Sequence, residues 1–139
     1  MISGSYEASL DSKNRIFIPA RVREKLGSDI VLVKGIDECI TVYSAAEWEN
    51  FTLSVEKLPM TQARHLRRFL YSSAVECTID GQGRIIIPSS LRDYAKLEKC
   101  VIIVGTGVRA EIWAADVWQK EQEKTDRDSM EKMLIELGF

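Results

Sequence analysis

Apolar and polar residues alternate from position 6 to position 10, as they do in a strand with one buried face. Residues 15–18 are an arginine followed by β-branched and aromatic side chains, and they predict a second strand that ends at Pro19. Between the two strands, Ser12-Lys13-Asn14 has the composition of a tight turn, because asparagine tolerates a positive φ. Residues 20–26, which are followed directly by a glycine, predict a short helix. The chain therefore begins with a strand, a turn, a strand and a helix.

Two further strands and two helices follow. Residues 30–33 and 39–43 are mostly apolar and predict two strands separated by a turn. Ser44 and Glu47 form a capping box, in which the hydroxyl and the carboxylate each satisfy a free backbone N–H, and they predict the start of a helix. Residues 59–70 predict an amphipathic helix whose apolar stripe lies away from its arginines, which are Arg64, Arg67 and Arg68.

The end of the chain predicts one more amphipathic helix, over residues 128–137. Its apolar side chains recur at helical spacing, so we expect burial against the core or another subunit for Met130, Met133, Leu134 and Leu137. The segment from residue 116 to residue 139 is acidic, with seven acidic and four basic side chains. The sequence does not assign a function to this acidic segment.

The first unit is repeated in the second half of the chain. Residues 11–19 read Asp-Ser-Lys-Asn-Arg-Ile-Phe-Ile-Pro, and residues 80–88 read Asp-Gly-Gln-Gly-Arg-Ile-Ile-Ile-Pro. Further along, Trp48 is matched by Trp118 at nearly the same offset. Agreement at this many positions indicates an internal duplication, so both halves are expected to contain the same strand-turn-strand-helix unit.

Each copy places an aspartate four residues before an arginine, with Asp11 and Arg15 in the first copy and Asp80 and Arg84 in the second. Successive side chains of a strand point to opposite faces, so each arginine should lie beside its turn and away from the core. Two interpretations of the pair are open. The aspartate fixes the hairpin by accepting backbone N–H groups and pairing with the arginine, or it orients the guanidinium toward a phosphate or a base edge.

Basic side chains are concentrated in a chain that is slightly acidic overall. The formal net charge is -2, which argues against a uniformly basic nucleic-acid-binding protein. Residues 11–25 nevertheless hold five basic and two acidic side chains, and residues 57–68 hold four basic ones and no acid. Lys13 gives the first turn a cation that the second turn lacks. This distribution permits a local phosphate-binding face, with the stronger contact from the first copy.

Several other classes of protein are disfavoured. No apolar run approaches the roughly 20 residues that cross a bilayer, and the N-terminus lacks the features of a signal peptide, so we expect a cytoplasmic protein without a membrane partner. Three widely spaced cysteines and one histidine predict no metal site and no cofactor; they are Cys39, Cys77, Cys100 and His65. Neither a catalytic triad nor a phosphate-binding glycine loop occurs, so we expect no enzyme activity and no small-molecule substrate.

Taken together, these residues resemble the double signature of the MraZ family, whose modules belong to the AbrB-like swapped-hairpin class. The resemblance covers nearly the whole chain and rests on both Asp-x-x-x-Arg motifs, on Leu91-Arg92, and on Glu111-Ile112-Trp113 followed by Trp118. It implies an α+β fold in which duplicated AbrB-like β-hairpin modules form a pseudo-two-fold β-barrel-like unit with peripheral helices. The expected boundaries are 1–56 for the first module, 57–72 for a connecting helix, 73–120 for the second module and 121–139 for the C-terminal amphipathic helix.

The resemblance also implies a function. Members of the family are bacterial cytoplasmic, nucleoid-associated transcription regulators that bind direct repeats upstream of their own cell-division and cell-wall operon, typically as repressors. Double-stranded DNA and further copies of the chain, assembled as a ring, are therefore the expected partners. The match to the family motif assigns DNA contacts to Arg15 and Arg84 with Lys13 beside them, and supporting roles to Asp11, Asp80, Asn14 and Gln82. The alternative is an AbrB-like protein-interaction or antitoxin-type module that does not read an operator.

Overall fold

The structure, a computed structural model, describes all residues from 1 to 139 and has the α+β composition that the sequence predicts. The first half contains β1 (Ser5–Ser9), β2 (Arg15–Phe17), α1 (Ala20–Leu26), β3 (Asp29–Lys34), β4 (Ile40–Ser44), α2 (Ala45–Glu56) and α3 (Met60–Ser73). The second half contains β5 (Val75–Thr78), β6 (Arg84–Ile86), α4 (Ser89–Tyr94), β7 (Cys100–Gly105), β8 (Ala110–Ala114), α5 (Ala115–Glu123) and α6 (Arg127–Glu136). The order of strands and helices is the same in both halves.

The two halves are interleaved in one sheet. Six strands form an antiparallel sheet in the order β1-β7-β8-β4-β3-β5, and β2 and β6 form a separate two-stranded ribbon. Strand β1 of the first half pairs with β7 of the second, and β5 of the second half pairs with β3 of the first. Strands β4 and β8 join the halves at the centre of the sheet. Each half therefore depends on the other for its strand partners.

The predicted β-barrel is not closed. Strands β1 and β5 are the edges of the six-stranded sheet, and each has only one neighbour. The three-residue strands β2 and β6 pair with one another, so no hydrogen-bonded ladder connects the two edges. Pro19 and Pro88 follow these strands closely, and proline has no N–H with which to extend a ladder.

One apolar core is shared by both halves. It contains Ile16 and Ile85 from the ribbon, alternate residues of the six-stranded sheet such as Leu32 and Ile103, and Leu91 from α4. Each of these side chains is at most 2% exposed. Full burial of an aliphatic side chain contributes about 1.5–3 kcal/mol, so this core is the main source of stability for both halves together.

Strand β3 is fully covered on both faces, whereas the outer face of its counterpart β7 is only partly covered, by α5. Val31 and Val33 lie on the face of β3 that points away from the shared core, and they are buried in a second apolar cluster with Leu70 of α3. Ile102 and Val104 occupy the same face of β7 and are only partly buried. Helix α6 follows the second half as α3 follows the first, but it makes no extensive contact with any strand.

The prediction that the apolar stripe of α6 is buried is wrong within one copy of the chain. None of the residues of α6 is buried, and exposure ranges from 42% to 83% for Met130, Met133, Leu134 and Leu137. An amphipathic pattern indicates that one face of a helix is apolar, but it does not indicate which surface covers that face. In α6 the pattern is present, and no other part of the chain buries the apolar face.

Helices α2 and α3 begin close to where the sequence predicts. The Oγ of Ser44 accepts the backbone N–H of Glu47 at 3.2 Å, which caps α2. Helix α3 extends to Ser73, three residues beyond its predicted end, and leaves Arg64 and Arg68 exposed. No helix in the structure combines the length and the apolar character needed to cross a membrane.

Candidate nucleic-acid interface

The first turn is organised by the carboxylate of Asp11. Its Oδ1 accepts the backbone N–H groups of Lys13 and Arg15, both at 2.9 Å. Its Oδ2 accepts the Nε–H of Arg15 at 2.8 Å. Asn14 adopts a φ of 60°, as the turn composition predicts, and its N–H donates to the carbonyl of Asp11 at 3.0 Å. One carboxylate therefore fixes both the turn and the direction of the arginine side chain.

The second turn repeats this arrangement around Asp80. Its Oδ1 accepts the backbone N–H groups of Gln82 at 2.8 Å and of Arg84 at 2.9 Å. Its Oδ2 accepts the Nε–H of Arg84 at 3.3 Å, a longer distance than in the first turn. Gly83 has a φ of 80° and takes the place of Asn14. The two turns therefore have the same design, and the first holds its arginine more tightly.

Both aspartates are charged at neutral pH. The backbone N–H of Arg15, aided by its guanidinium, holds the pKa of Asp11 below its usual value. The backbone N–H of Arg84 has the largest effect on Asp80, whose pKa is also lowered. Hydrogen bonds to the charged form of a carboxyl favour ionisation. These carboxylates are therefore hydrogen-bond acceptors for the turns, and their lowered pKa values do not suit proton transfer.

The aspartates hold the two arginines without using their terminal nitrogens. Arg15 and Arg84 each donate to an aspartate through Nε, and Nη1 and Nη2 have no acceptor in the protein. The side chains are 24% and 30% exposed, respectively. A guanidinium held at Nε presents its remaining edge as a planar set of donors, which fits phosphate oxygens or a base edge. The structural interpretation of the Asp-x-x-x-Arg pair is therefore compatible with the binding interpretation.

Pairing of β2 with β6 brings the two arginines onto one surface. Arg15 lies opposite Ile86, and Phe17 lies opposite Arg84. Directly paired residues of antiparallel strands point to the same side, so these four side chains share the outer face of the ribbon. The isoleucine between them on each strand is buried in the core. Because the strands are antiparallel, the two turns lie at opposite ends of the ribbon.

Each turn is also bonded to the strand of the other half. The N–H of Ile18 donates to the carbonyl of Gly83 at 2.8 Å, and the N–H of Ile87 donates to the carbonyl of Asn14 at 2.9 Å. The residue with positive φ in each turn thus accepts a bond from the opposite copy. This exchange holds both arginines in one rigid unit.

Lys13 and Gln82 occupy the same position in the two turns. Both side chains are exposed and form no hydrogen bond or ion pair within the protein. The structure therefore brings Arg15 and Arg84 together on the ribbon and places Lys13 at the end nearer Arg15. Among the residues singled out from the sequence, only these three supply a cation to this surface.

Arg23 and Arg92 support the ribbon, a role that sequence reasoning did not assign to them. The Nη1 of Arg23 donates to the carbonyl of Ile18 at 2.7 Å, and its guanidinium carbon lies 5.0 Å from the ring centre of Phe17. The Nη1 of Arg92 donates to the carbonyl of Ile87 at 2.5 Å. Both arginines stand four residues after the proline that follows the ribbon strand. This repeated position is the feature of the sequence from which their supporting role could have been inferred.

Burial suppresses the reactivity of two of the three cysteines, Cys39 and Cys77. All three are free, and burial raises the pKa of the Cys39 thiol well above its usual range and that of Cys77 to about 11. A protonated thiol is a poor nucleophile at neutral pH. Cys39 is buried, as expected for a small core residue, but Cys100 is exposed, contrary to that expectation. No group of three His, Cys, Asp or Glu residues is placed to hold a metal ion.

Gly83 is a turn position at which a side chain does not fit. A Cβ there would overlap Nη1 of Arg23 and lie 2.9 Å from Cε2 of Phe17, and the φ of 80° is unfavourable for other residues. Gly83→Ala is expected to lower the free energy of unfolding by about 1–3 kcal/mol, because the backbone is strained and Arg23 must move. Chemical denaturation measures this change. Gly81→Ala is the matched control, since nothing lies within 4 Å of its Cβ, and equal losses would contradict the prediction.

The chain is similar along nearly its whole length to proteins of one family. The family profile described as "MraZ protein, putative antitoxin-like" matches residues 1–68 and residues 70–134. The chain belongs to the MraZ family. The family that the two Asp-x-x-x-Arg motifs suggest is thereby confirmed.

Members of the MraZ family from several bacteria share between four and five residues in ten with this chain. The protein of Caldanaerobacter subterraneus subsp. tengcongensis is 49% identical over 128 residues, which cover 91% of this chain and 90% of that protein. The protein of Pelotomaculum thermopropionicum is 45% identical over 143 aligned positions, covering 100% and 99% of the two chains. The protein of Lactiplantibacillus plantarum is 46% identical over 127 residues, covering 90% of each. All three bear the name Transcriptional regulator MraZ.

Proposed function

We propose that the chain is a sequence-specific, DNA-binding transcriptional regulator that represses its own cell-division and cell-wall operon from direct repeats upstream of it. The proposal depends above all on Arg15 and Arg84, which share one ribbon face, are each held at Nε by an aspartate, and keep their terminal nitrogens free. The names of the relatives support the same class of function. The operon, the repeats and repression are inferred from family membership.

The ribbon has a shape that suits the major groove of DNA. That groove is about 12 Å wide and admits a two-stranded β-ribbon. Arg15 and Arg84 begin antiparallel strands, so they lie toward opposite ends of the ribbon and reach two separate points along a duplex. Lys13 extends the contact beyond Arg15 to a neighbouring phosphate. We therefore expect the first turn to contribute more affinity than the second.

Both halves are proposed to be AbrB-like modules, over residues 1–56 and 73–120, linked by the helix of residues 57–72 and followed by the C-terminal segment 121–139. The exchanged bonds between each turn and the opposite strand support this assignment, because they make one symmetric unit from two copies. A regulator of this kind acts on the chromosome, so we place it in the cytoplasm in association with the nucleoid. We assign it no enzymatic activity, metal, cofactor or small-molecule substrate.

Assembly into a ring is proposed to supply the affinity that one weakly charged subunit lacks. The chain has a net charge of -2, and only three of its cations, Lys13, Arg15 and Arg84, are assigned to DNA contacts at the ribbon and its turns. Several subunits that bind repeats on one DNA molecule multiply the affinity without any new contact. A head-to-tail contact repeated around a closed rotation gives such a ring.

Two helices offer complementary surfaces for the head-to-tail contact. Helix α6 exposes its apolar stripe together with Asp128 and Glu131, neither of which has a basic partner. Helix α3 exposes Arg64 and Arg68, which likewise form no ion pair, beside the exposed Leu66. We propose that α6 of one copy docks on α3 of the next, because the apolar stripe and unpaired acids of α6 match the exposed Leu66 and unpaired arginines of α3.

The test of the proposed function is fluorescence anisotropy on duplex DNA from the region upstream of the protein's own gene. The wild-type protein is expected to bind this DNA tightly and a shuffled duplex of the same composition weakly. Three phosphate contacts per subunit predict that each engaged subunit adds about -2.7 to the slope in a plot of the logarithm of affinity against that of salt concentration. Binding that does not change with salt would contradict a mechanism that depends on Lys13, Arg15 and Arg84.

A protein-interaction function is the second candidate. The family profile is described as antitoxin-like, and α6 exposes an apolar stripe that suits a polypeptide partner. Under this alternative the arginines of the two turns stabilise the ribbon only. Absence of binding to any upstream duplex by a correctly folded and assembled wild-type protein would favour the protein-interaction function.

A further inference from the structure

The outer face of the β2–β6 ribbon carries two large apolar side chains that the arginine contacts leave unexplained. Phe17 is 49% exposed and Ile86 is 62% exposed. They share this face with Arg15 and Arg84, whereas the residue between the paired positions on each strand is buried in the core. The two exposed side chains therefore contribute little to the core, and they point toward the proposed DNA ligand.

Each apolar side chain lies directly opposite an arginine. Ile86 pairs with Arg15, and Phe17 pairs with Arg84. Each end of the face thus presents an apolar group beside a charged donor. Polar side chains are more favourable than apolar ones on a surface that contacts only water. Apolar groups surrounded by charged ones are typical of a binding surface.

Both apolar side chains are held in place before any ligand binds. The ring of Phe17 lies close to Gly83, where an added Cβ would approach its Cε2 to 2.9 Å, and the guanidinium of Arg23 lies 5.0 Å from its centre. Ile86 is β-branched and sits in a paired strand, which restricts its χ1 angle. Side chains that are already restricted lose little conformational entropy on binding.

We propose that Phe17 and Ile86 read thymine in the major groove by contacting its C5-methyl group. This inference rests on the proposed binding of DNA by the ribbon, and it adds the base that the ribbon recognises. Each base pair presents a distinct pattern in the major groove, and the methyl group of thymine is the feature that apolar side chains contact there. Arg15 and Arg84 hold the ribbon in the groove, which brings the neighbouring apolar side chains to the base edges. The minor groove, about 6 Å wide, does not present this methyl group.

Replacement of thymine by uracil tests this inference, because it removes the methyl group and keeps the base pair. Each thymine in the upstream duplex is replaced singly, and the dissociation constant is measured by fluorescence anisotropy. The wild-type protein is expected to lose about 4-fold in affinity for each contacted methyl group and to be unaffected at other positions. Ile86→Ala is expected to lose a similar factor on thymine DNA and to become insensitive to uracil at one contacted position. Phe17→Ala is expected to lose a similar factor and to become insensitive to uracil at a different contacted position.

Ile36→Ala is the matched control, because Ile36 is 94% exposed and lies in the β3–β4 connection, outside the ribbon. It is expected to bind both kinds of DNA as the wild type does. Phe17→Ala also removes the contact with Arg23, so Ile86→Ala decides the outcome where thermal unfolding shows that Phe17→Ala is less stable.

Two results would overturn the inference while DNA binding itself stands. They are a wild type that is insensitive to every uracil replacement, and an Ile86→Ala variant as sensitive as the wild type at every position. A wild type that binds no upstream DNA would instead overturn the proposed function, and this inference with it.

Discussion

Replacement of Arg15 by alanine is expected to lower the affinity for upstream DNA by at least about 100-fold and to leave the protein folded. A guanidinium contact with a base edge or a phosphate contributes on the order of 1–3 kcal/mol, and the change is repeated in every subunit that binds the same DNA. The terminal nitrogens of Arg15 have no acceptor in the protein, so we expect the substitution to weaken DNA binding and not to destabilise the fold. Anisotropy titration gives the affinity, and thermal unfolding gives the stability.

The stability of this variant distinguishes the two interpretations of the motif. The ion pair of Arg15 with Asp11 is partly exposed and screened by solvent, so it contributes little to stability, and Asp11 keeps its backbone hydrogen bond with Lys13 in the variant. A large fall in melting temperature would show that the arginine is required mainly for the fold. Arg15→Lys keeps the charge but loses the planar donors, so we expect it to bind weakly as well. Lys120→Ala is the control, since Lys120 is an exposed cation on α5, outside the ribbon and outside the proposed contact between α6 and α3, and should change affinity only a few-fold.

Replacement of Met133 by glutamate is expected to convert the proposed ring into smaller species, down to the monomer. Met133 lies at the centre of the α6 stripe and is 57% exposed in one chain. We therefore expect the substitution to leave the stability of the single subunit unchanged. In the proposed contact the apolar stripe meets apolar side chains such as Leu66, so the new carboxylate would lose its hydration there, which costs several kcal/mol. Light scattering coupled to size-exclusion chromatography measures the mass. We also expect DNA affinity to fall by about 10²–10⁴-fold, because simultaneous binding by several subunits is lost.

Lys132→Glu is the matched control for this prediction. It introduces the same side chain at the adjacent position, which lies off the apolar stripe of α6 and forms no ion pair. The control is expected to retain the mass of the wild type. Assembly of Met133→Glu at the wild-type mass would show that α6 is not the contact, and a monomeric wild type would show that no ring forms.

The turn design explains how one motif serves both stability and binding. A single carboxylate accepts two backbone N–H groups and one guanidinium nitrogen, so the group that closes the turn also directs the arginine outward. Because the turn of each half is bonded to the strand of the other, Arg15 and Arg84 are positioned before the proposed DNA ligand binds. Preorganised donors lose less entropy on binding than flexible ones do.

The local features of the candidate site were predicted well from the sequence. The repeated aspartate and arginine, the positive φ at Asn14 and the turn before each ribbon strand all follow from residue type and spacing, and the structure has them. The role of Arg23 was missed, although its match with Arg92 was visible. Arg23 approaches Gly83, which lies far away in the chain, and its hydrogen bond to Ile18 belongs to no known short motif. Residue spacing alone reveals neither contact.

Sequence alone reveals the duplication, the α+β composition, the family, and the two turns that carry the arginines, because repeats, periodicity and turn chemistry are local properties of the chain. Only the tertiary structure decided that β2 pairs with β6, that Phe17 and Ile86 share the outer face with the arginines, and that the sheet remains open. It also decided that α3 covers β3 while α6 covers nothing in its own chain. A periodic pattern shows which face of an element is apolar, whereas the partner that meets this face is set by contacts between distant segments.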